Sequence, residues 1–145
     1  MAVLGLSLEQ FDYELKSDPD RGTDLATKFT LQVLTTKVAL AFKDGNAKFE
    51  QKFKGADDSS INMDVRTNET QVNTIRIGLK GWTNFKKPNG EDVPFETERG
   101  TLKGIPGTHD LVSEKTMNYL PPKFWAELAR VIENGSAVEE EDEKN

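Results

Sequence analysis

Two short runs near the N-terminus alternate between apolar and polar residues. Phe11, Tyr13 and Leu15 are separated by charged residues, and residues 29–33 repeat the alternation. A period of two is typical of a strand with one face buried. The connecting residues, 17–22, are rich in Asp, Pro and Gly, which favour turns. We therefore predict two strands that pair as an antiparallel hairpin.

Residues 35–54 fit two structures. A threonine at the start of this segment could cap a helix, because its hydroxyl can accept a bond from the first free amides. The same residues could instead form a hairpin that turns at Asp44-Gly45, a strong turn pair. We interpret residues 35–43 as helical and leave residues 46–54 open between helix and strand.

From residue 68 onward the apolar positions are spaced three or four residues apart. They are Val72, Ile75, Leu79 and Trp82. Such spacing places the side chains on one face of a helix. We predict a helix that is capped at Thr67 or Asn68 and ends at Gly81.

The stretch after this helix carries weaker patterns. We predict a tight turn at residues 88–90 and a short extended piece at residues 93–95, whose proline favours a sheet edge. Residues 100–106 are predicted to be extended or irregular, and His109 is placed in a loop.

Two helices are predicted at the C-terminal end. A short one begins at Ser113 and is broken by Pro121-Pro122, of which the second proline suits the first turn of the next helix. The last helix presents one apolar face, with Trp125 to its side, and is closed by Asn134-Gly135. Its apolar face consists of Phe124, Leu128, Val131 and Ile132.

These elements predict an α+β fold. A small N-terminal antiparallel β-sheet, the hairpin, would pack with three to four helices, the last of them C-terminal. The chain of 145 residues suits one domain, which we place at residues 1–138. Five of the last seven residues, 139–145, are acidic, and we predict that they form a disordered tail.

Composition argues against catalysis and against several kinds of ligand. The chain has no cysteine and one histidine, so cysteine–histidine nucleophile–base pairs and the usual zinc sites cannot be assembled. No segment has the spacing of a phosphate-binding glycine loop. The net charge of −6 disfavours nucleic acid, and no apolar stretch approaches the roughly 20 residues that span a bilayer. We expect no enzyme, no cofactor, no metal, no nucleic acid and no membrane.

Large aromatic side chains are the remaining candidates for function. Each could be an anchor of the hydrophobic core, or part of a surface that meets a partner, because aromatic residues dominate binding hot spots. The candidate protein-binding residues are Trp82, Phe85, Phe124, Trp125 and Leu128.

Several short motifs occur in a fixed order along residues 18–145. The first are Asp18-Pro19-Asp20 and residues 27–31 followed by Leu34-Thr35. The next are the sequence IGLKGWTNF at 77–85, Asn89-Gly90 and Val93-Pro94-Phe95. The last are Leu120-Pro121-Pro122, residues 127–129 with Ile132, and an acidic terminus that ends in Glu143-Lys144-Asn145. In this order they resemble the tail assembly chaperones of long-tailed bacteriophages. The most specific part is GLKGWTNF with the two motifs that follow it.

The resemblance implies a helper of virion morphogenesis in the host cytoplasm. Such chaperones bind the tape measure protein, which is prone to aggregate, and help to recruit tail tube subunits. Members are often made in two lengths by ribosomal frameshifting, and this chain could be the short form. Two alternatives stay open: a structural virion component, such as a head–tail connector or tail completion protein, and a phage-encoded inhibitor of a host defence protein. The sequence also leaves open whether the chain forms a homo-oligomer.

Overall fold

The computed structural model describes residues 5–53 and 59–134, with side chains for residues 5–44 and 68–134. The predicted tail at 139–145, and the predicted helix closure at Gly135, therefore lie outside the described residues. The prediction of one domain over residues 1–138 also stays a prediction.

The predicted N-terminal hairpin is present. Strands β1 (Phe11–Tyr13) and β2 (Lys28–Leu31) pair in antiparallel fashion. A third strand, β3 (Leu79–Thr83), pairs antiparallel with the other side of β2, and Phe29 lies opposite Trp82. The hairpin is thus part of a three-stranded sheet in the order β1-β2-β3, and one of its strands comes from the middle of the chain.

The segment that fitted two structures is a helix. Helix α1 spans Thr36–Phe53 and passes through Asp44-Gly45 without turning back. Val38 and Phe42 are both buried and four residues apart, so they lie on the same face of α1. The helical interpretation of 35–43 is confirmed. The hairpin alternative is wrong: a strand would bury Leu40 together with Val38 and Phe42, and Leu40 is 53% exposed.

Helix α2 spans Ser59–Gly78, so the predicted start at residue 67 or 68 and the predicted end at Gly81 are both wrong. The chain changes from helix to strand at Leu79 because β2 offers a pairing edge: the amide of Gln32 donates to the carbonyl of Gly78 at 2.8 Å. The spacing of Leu79 and Trp82 favours a helix, and tertiary pairing with β2 overrides this local preference.

A second hairpin occupies the region that was predicted to be extended or irregular. Strand β4 (Thr97–Leu102) pairs antiparallel with β5 (Ile105–Val112). The connecting Gly104 has a φ of 81°, a conformation that glycine adopts without strain. His109 lies on β5 opposite Gly100 and is not in a loop. Most of β4 is exposed on both faces, so it lacks the apolar alternation by which strands are recognised.

The C-terminal elements follow the predicted order. Ser113 caps the short helix α3 (Glu114–Met117), since its hydroxyl accepts a hydrogen bond from the Thr116 amide at 3.1 Å. A 3₁₀ turn at Pro122–Phe124 leads into α4 (Trp125–Asn134). The α+β class, with antiparallel sheets, four helices and a C-terminal helix among the described residues, is confirmed.

Most of the buried apolar residues that the structure describes form one cluster, to which both sheets and all four helices contribute. Helices α2 and α4 pack closely against each other at Gly78. A Cβ atom added to Gly78 would lie 2.3 Å from Cγ2 of Ile132, which is fully buried. Only glycine allows these helices to come this close.

Candidate protein-binding cleft

A cleft of about 630 Å³ lies where three parts of the chain meet. These parts are the loop after β1, the residues that follow β3, and the 3₁₀ turn with the start of α4. The apolar residues in its lining are Leu15, Leu25, Phe29, Phe85 and Phe124. We call this feature the aromatic cleft.

The loop between β1 and β2 forms one wall and is held by acidic side chains. Asp18 accepts hydrogen bonds from the amides of Asp20 at 2.9 Å and Thr27 at 3.0 Å, so both of its carboxylate oxygens bind backbone. Glu14 accepts a bond from the amide of Gly22 at 2.7 Å. These bonds give the loop a defined shape in spite of its length.

Asn84 joins the loop to the end of β3. The side-chain amide of Asn84 donates to the carbonyls of Asp24 at 3.0 Å and Ala26 at 3.3 Å. The backbone carbonyl of Asn84 accepts a hydrogen bond from the hydroxyl of Thr27 at 2.7 Å. The φ of Asn84 is 58°, in the left-handed region that asparagine tolerates better than most residues. This turn directs the following residue, Phe85, into the cleft.

Glu127 fixes the opposite end of the lining. Its carboxylate accepts the Tyr13 hydroxyl at 2.5 Å and the Lys16 amide at 2.9 Å. Because Tyr13 is only 1% exposed, the first bond is shielded from water. The start of α4, and with it Phe124, is thereby held against the N-terminal sheet.

An aromatic cluster supports the cleft from behind. Trp82 contacts Phe85 and Phe95 edge to face, with ring centroids 4.8 and 4.9 Å apart, and Phe29 lies 5.6 Å from Phe85. The indole N–H of Trp82 donates to the carbonyl of Val93 at 2.9 Å. Trp82 therefore holds Phe85 in position, and itself lines a smaller depression beside the aromatic cleft.

The structure brings together two of the five predicted binding residues, Phe85 and Phe124, which line the same cleft and are half-buried. Trp82 lies behind them. Trp125 is half-buried, and its indole nitrogen is buried without a hydrogen-bond partner among the described residues. Leu128 is 0% exposed and belongs to the core, so it presents no surface to a partner.

Sequence reasoning missed Leu25, which is 73% exposed at the edge of the cleft. A single leucine in a polar loop, between Asp24 and Ala26, was the available signal. This leucine gave no indication of its neighbours in the fold, because Phe85 and Phe124 are about 60 and 100 residues further along the chain.

Charged residues in the lining fall into two groups. Asp18 and Glu127 accept backbone or tyrosine hydrogen bonds, and Lys86 forms an ion pair with Asp92. The carboxylate of Asp20 and the ammonium of Lys123, in contrast, form no ion pair with a described residue. The nearest partner of Lys123 is the ring of Phe124, with its centroid 5.1 Å from Nζ.

Within the described ranges, no group of His, Asp and Glu side chains is arranged to hold a metal ion. The helices of this part of the chain include none that is both long and apolar enough to cross a bilayer.

Comparisons with known proteins gave no match: no family model fits the chain, and neither the curated proteins nor the solved structures include a similar one.

Proposed function

We propose that this protein is a tail assembly chaperone of a long-tailed bacteriophage, and a binding protein, not an enzyme. It would act in the host cytoplasm on the tape measure protein and tail tube subunits. The sequence resemblance motivates the family. The observation that supports a binding role is the aromatic cleft, in which exposed Leu25 lies beside half-buried Phe85 and Phe124.

The dimensions and lining of the cleft suit a segment of another protein. Its volume of about 630 Å³ is that of a pocket for a small ligand, roughly 300–1,000 Å³, so it has room for the anchoring side chains of such a segment and not for the whole segment. Aromatic side chains held in place by a packed cluster lose little freedom on binding, which is why they dominate hot spots. An amphipathic helix that lays its apolar face into such a groove is a common mode of recognition.

A pull-down from phage-infected cells tests this proposal. Tagged wild-type chain should recover the tape measure protein, and the Leu25→Asp variant should recover at least about ten times less, because a charge would replace the exposed apolar contact. The matched control is Leu40→Asp. Leu40 is 53% exposed on α1 and does not line the cleft, so this variant should bind as wild type does.

Mass spectrometry of purified virions separates the alternatives. A chaperone should be absent from mature particles. Stoichiometric presence in virions would favour a connector or tail completion protein, and recovery of a single host defence protein in place of tape measure protein would favour an inhibitor. Either result would contradict the proposed function.

A further inference from the structure

We propose that Asp20 and Lys123 determine the N-to-C direction in which a bound segment lies in the aromatic cleft. This inference rests on the proposed function: the occupant is an amphipathic helical segment of the tape measure protein. The segment would carry a basic residue on one side of its apolar anchor and an acidic residue on the other.

Two charged side chains in the lining of the cleft form no hydrogen bond or ion pair with the described part of the chain. Five charged residues line the cleft, and three of them have partners: Asp18 holds the loop, Glu127 binds Tyr13, and Lys86 pairs with Asp92. The charged groups of Asp20 and Lys123 are the two in this lining for which the described residues provide neither a hydrogen bond nor an ion pair. They have opposite signs, and both line the same apolar cleft.

These two residues also lie on different structural elements. Asp20 is in the loop between β1 and β2, and Lys123 is in the 3₁₀ turn before α4. Both elements are fixed, the loop by Asp18 and Asn84 and the turn by the bonds of Glu127 at the start of α4. The two charges are therefore carried by separate, fixed backbone segments of the lining.

A segment that enters the cleft in one direction would satisfy both charges. In the opposite direction it would place like charges together, which disfavours binding. Apolar contacts with Leu25, Phe85 and Phe124 would supply affinity in either direction, and the two charges would select one of them. Because exposed charges act over several ångströms, they should also speed association at low salt.

The test uses two synthetic peptides in fluorescence anisotropy titrations. The first is the tape measure segment, found by tiling that protein in 20-residue peptides, that binds wild-type chain best. The second is the same peptide with the signs of the charges that flank its apolar anchor exchanged. Wild type should prefer the first peptide by about ten-fold in Kd, and the preference should shrink as salt is raised.

The chain with both charges reversed, Asp20→Lys with Lys123→Glu, should prefer the second peptide. Neither side chain is hydrogen-bonded within the described structure, so this variant should fold. The matched control reverses two exposed charges of α1, Lys37→Glu with Asp44→Lys, which do not line the cleft. It should keep the wild-type preference.

The outcomes separate this inference from the proposed function. If a tape measure peptide binds wild type but the reversed variant keeps the wild-type preference, the two charges do not select the direction of the segment. The inference is then wrong, and the proposed chaperone role stands. If no tape measure peptide binds wild type, the proposed function and this inference both fail.

Discussion

The contact between α2 and α4 and the aromatic cleft are built in opposite ways. At the helix contact, Gly78 lies against fully buried Ile132 so closely that no further atom fits. At the cleft, Leu25 is largely exposed, and Phe85 and Phe124 are only half-buried. At the helix contact, Gly78 and Ile132 are buried by other residues of the same chain and leave no surface for a partner. The cleft has apolar surface and charges that remain available to a partner.

This difference separates residues that maintain the fold from residues that are free to bind. Substitutions at the helix contact should change the free energy of unfolding strongly. Substitutions at the edge of the cleft should change it little and should act on binding instead. Asn84 belongs to neither group alone: it does not bind a partner directly, but its hydrogen bonds hold the loop that forms one wall of the cleft.

The largest expected effect is that of Gly78→Ala. The new methyl group would overlap the Ile132 side chain, and overpacking of this kind costs about 3 kcal/mol of unfolding free energy. Urea denaturation followed by circular dichroism measures it. The control is Gly81→Ala, where the nearest side-chain atom to the added Cβ is 3.9 Å away and stability should change by less than about 0.5 kcal/mol. Equal costs at both positions would contradict the close helix contact.

The same contact can be tested by relieving it. In an Ile132→Ala background, the atoms that Gly78→Ala would overlap are gone, so the added cost of Gly78→Ala should fall below about 1 kcal/mol. A double-mutant cycle gives this coupling directly. Strict additivity of the two substitutions would show that Ile132 is not the obstacle.

An intermediate effect is expected at Asn84. Asn84→Ala removes the bonds to Asp24 and Ala26 and places alanine at a φ of 58°, which together should cost about 2 kcal/mol. Asn84→Gly loses the same bonds without the backbone strain and should cost less. Hydrogen exchange should show faster exchange of loop amides in both variants. Unchanged loop exchange would mean that Asn84 does not hold this wall of the cleft.

Leu25→Asp should leave stability within about 0.5 kcal/mol of wild type, because Leu25 is 73% exposed and a surface substitution removes little packing. Thermal and urea unfolding check this, and the result also validates the variant for the pull-down. A loss of more than 2 kcal/mol would place Leu25 in the framework, together with Gly78, and not at a free binding edge.

The smallest effect concerns Lys80, on β3. Burial lowers the pKa of its ammonium below the ordinary 10.5, and Asp110 partly opposes this shift. Since the unfolded chain then binds more protons between the two pKa values, this residue should make stability rise as pH increases through the folded-state pKa towards 10.5. Unfolding measured between pH 7 and pH 10 should show this rise in wild type relative to Lys80→Met. A parallel pH dependence in both chains would contradict the shift.

How much the sequence reveals differs between elements for physical reasons. The first hairpin was predictable because Phe11, Tyr13 and Phe29 follow the period of a strand with one buried face. Helix α4 was predictable because its apolar residues form one stripe between a proline start and an asparagine end. In both cases the local pattern and the tertiary environment demand the same structure.

Other elements depend on contacts that no local pattern records. Strand β3 exists because β2 offers an edge to Leu79 and its neighbours, although their spacing favours a helix. The second hairpin, β4–β5, could not be predicted because most of β4 is exposed on both faces and so lacks an apolar–polar alternation. The cleft needs Thr27 and Asn84, which are 57 residues apart, to come into hydrogen-bond contact. Phe85 and Phe124 could be named as candidates, but their neighbour Leu25 could not.

The most direct test of binding at the aromatic cleft is an NMR titration. ¹⁵N-labelled wild-type chain would be titrated with the best-binding tape measure peptide, and amide shift changes mapped onto the fold. We predict that the largest changes fall in the β1–β2 loop, at residues 84–86 and at residues 123–127. Changes confined to the β4–β5 hairpin or to α1, with the cleft amides unmoved, would contradict it.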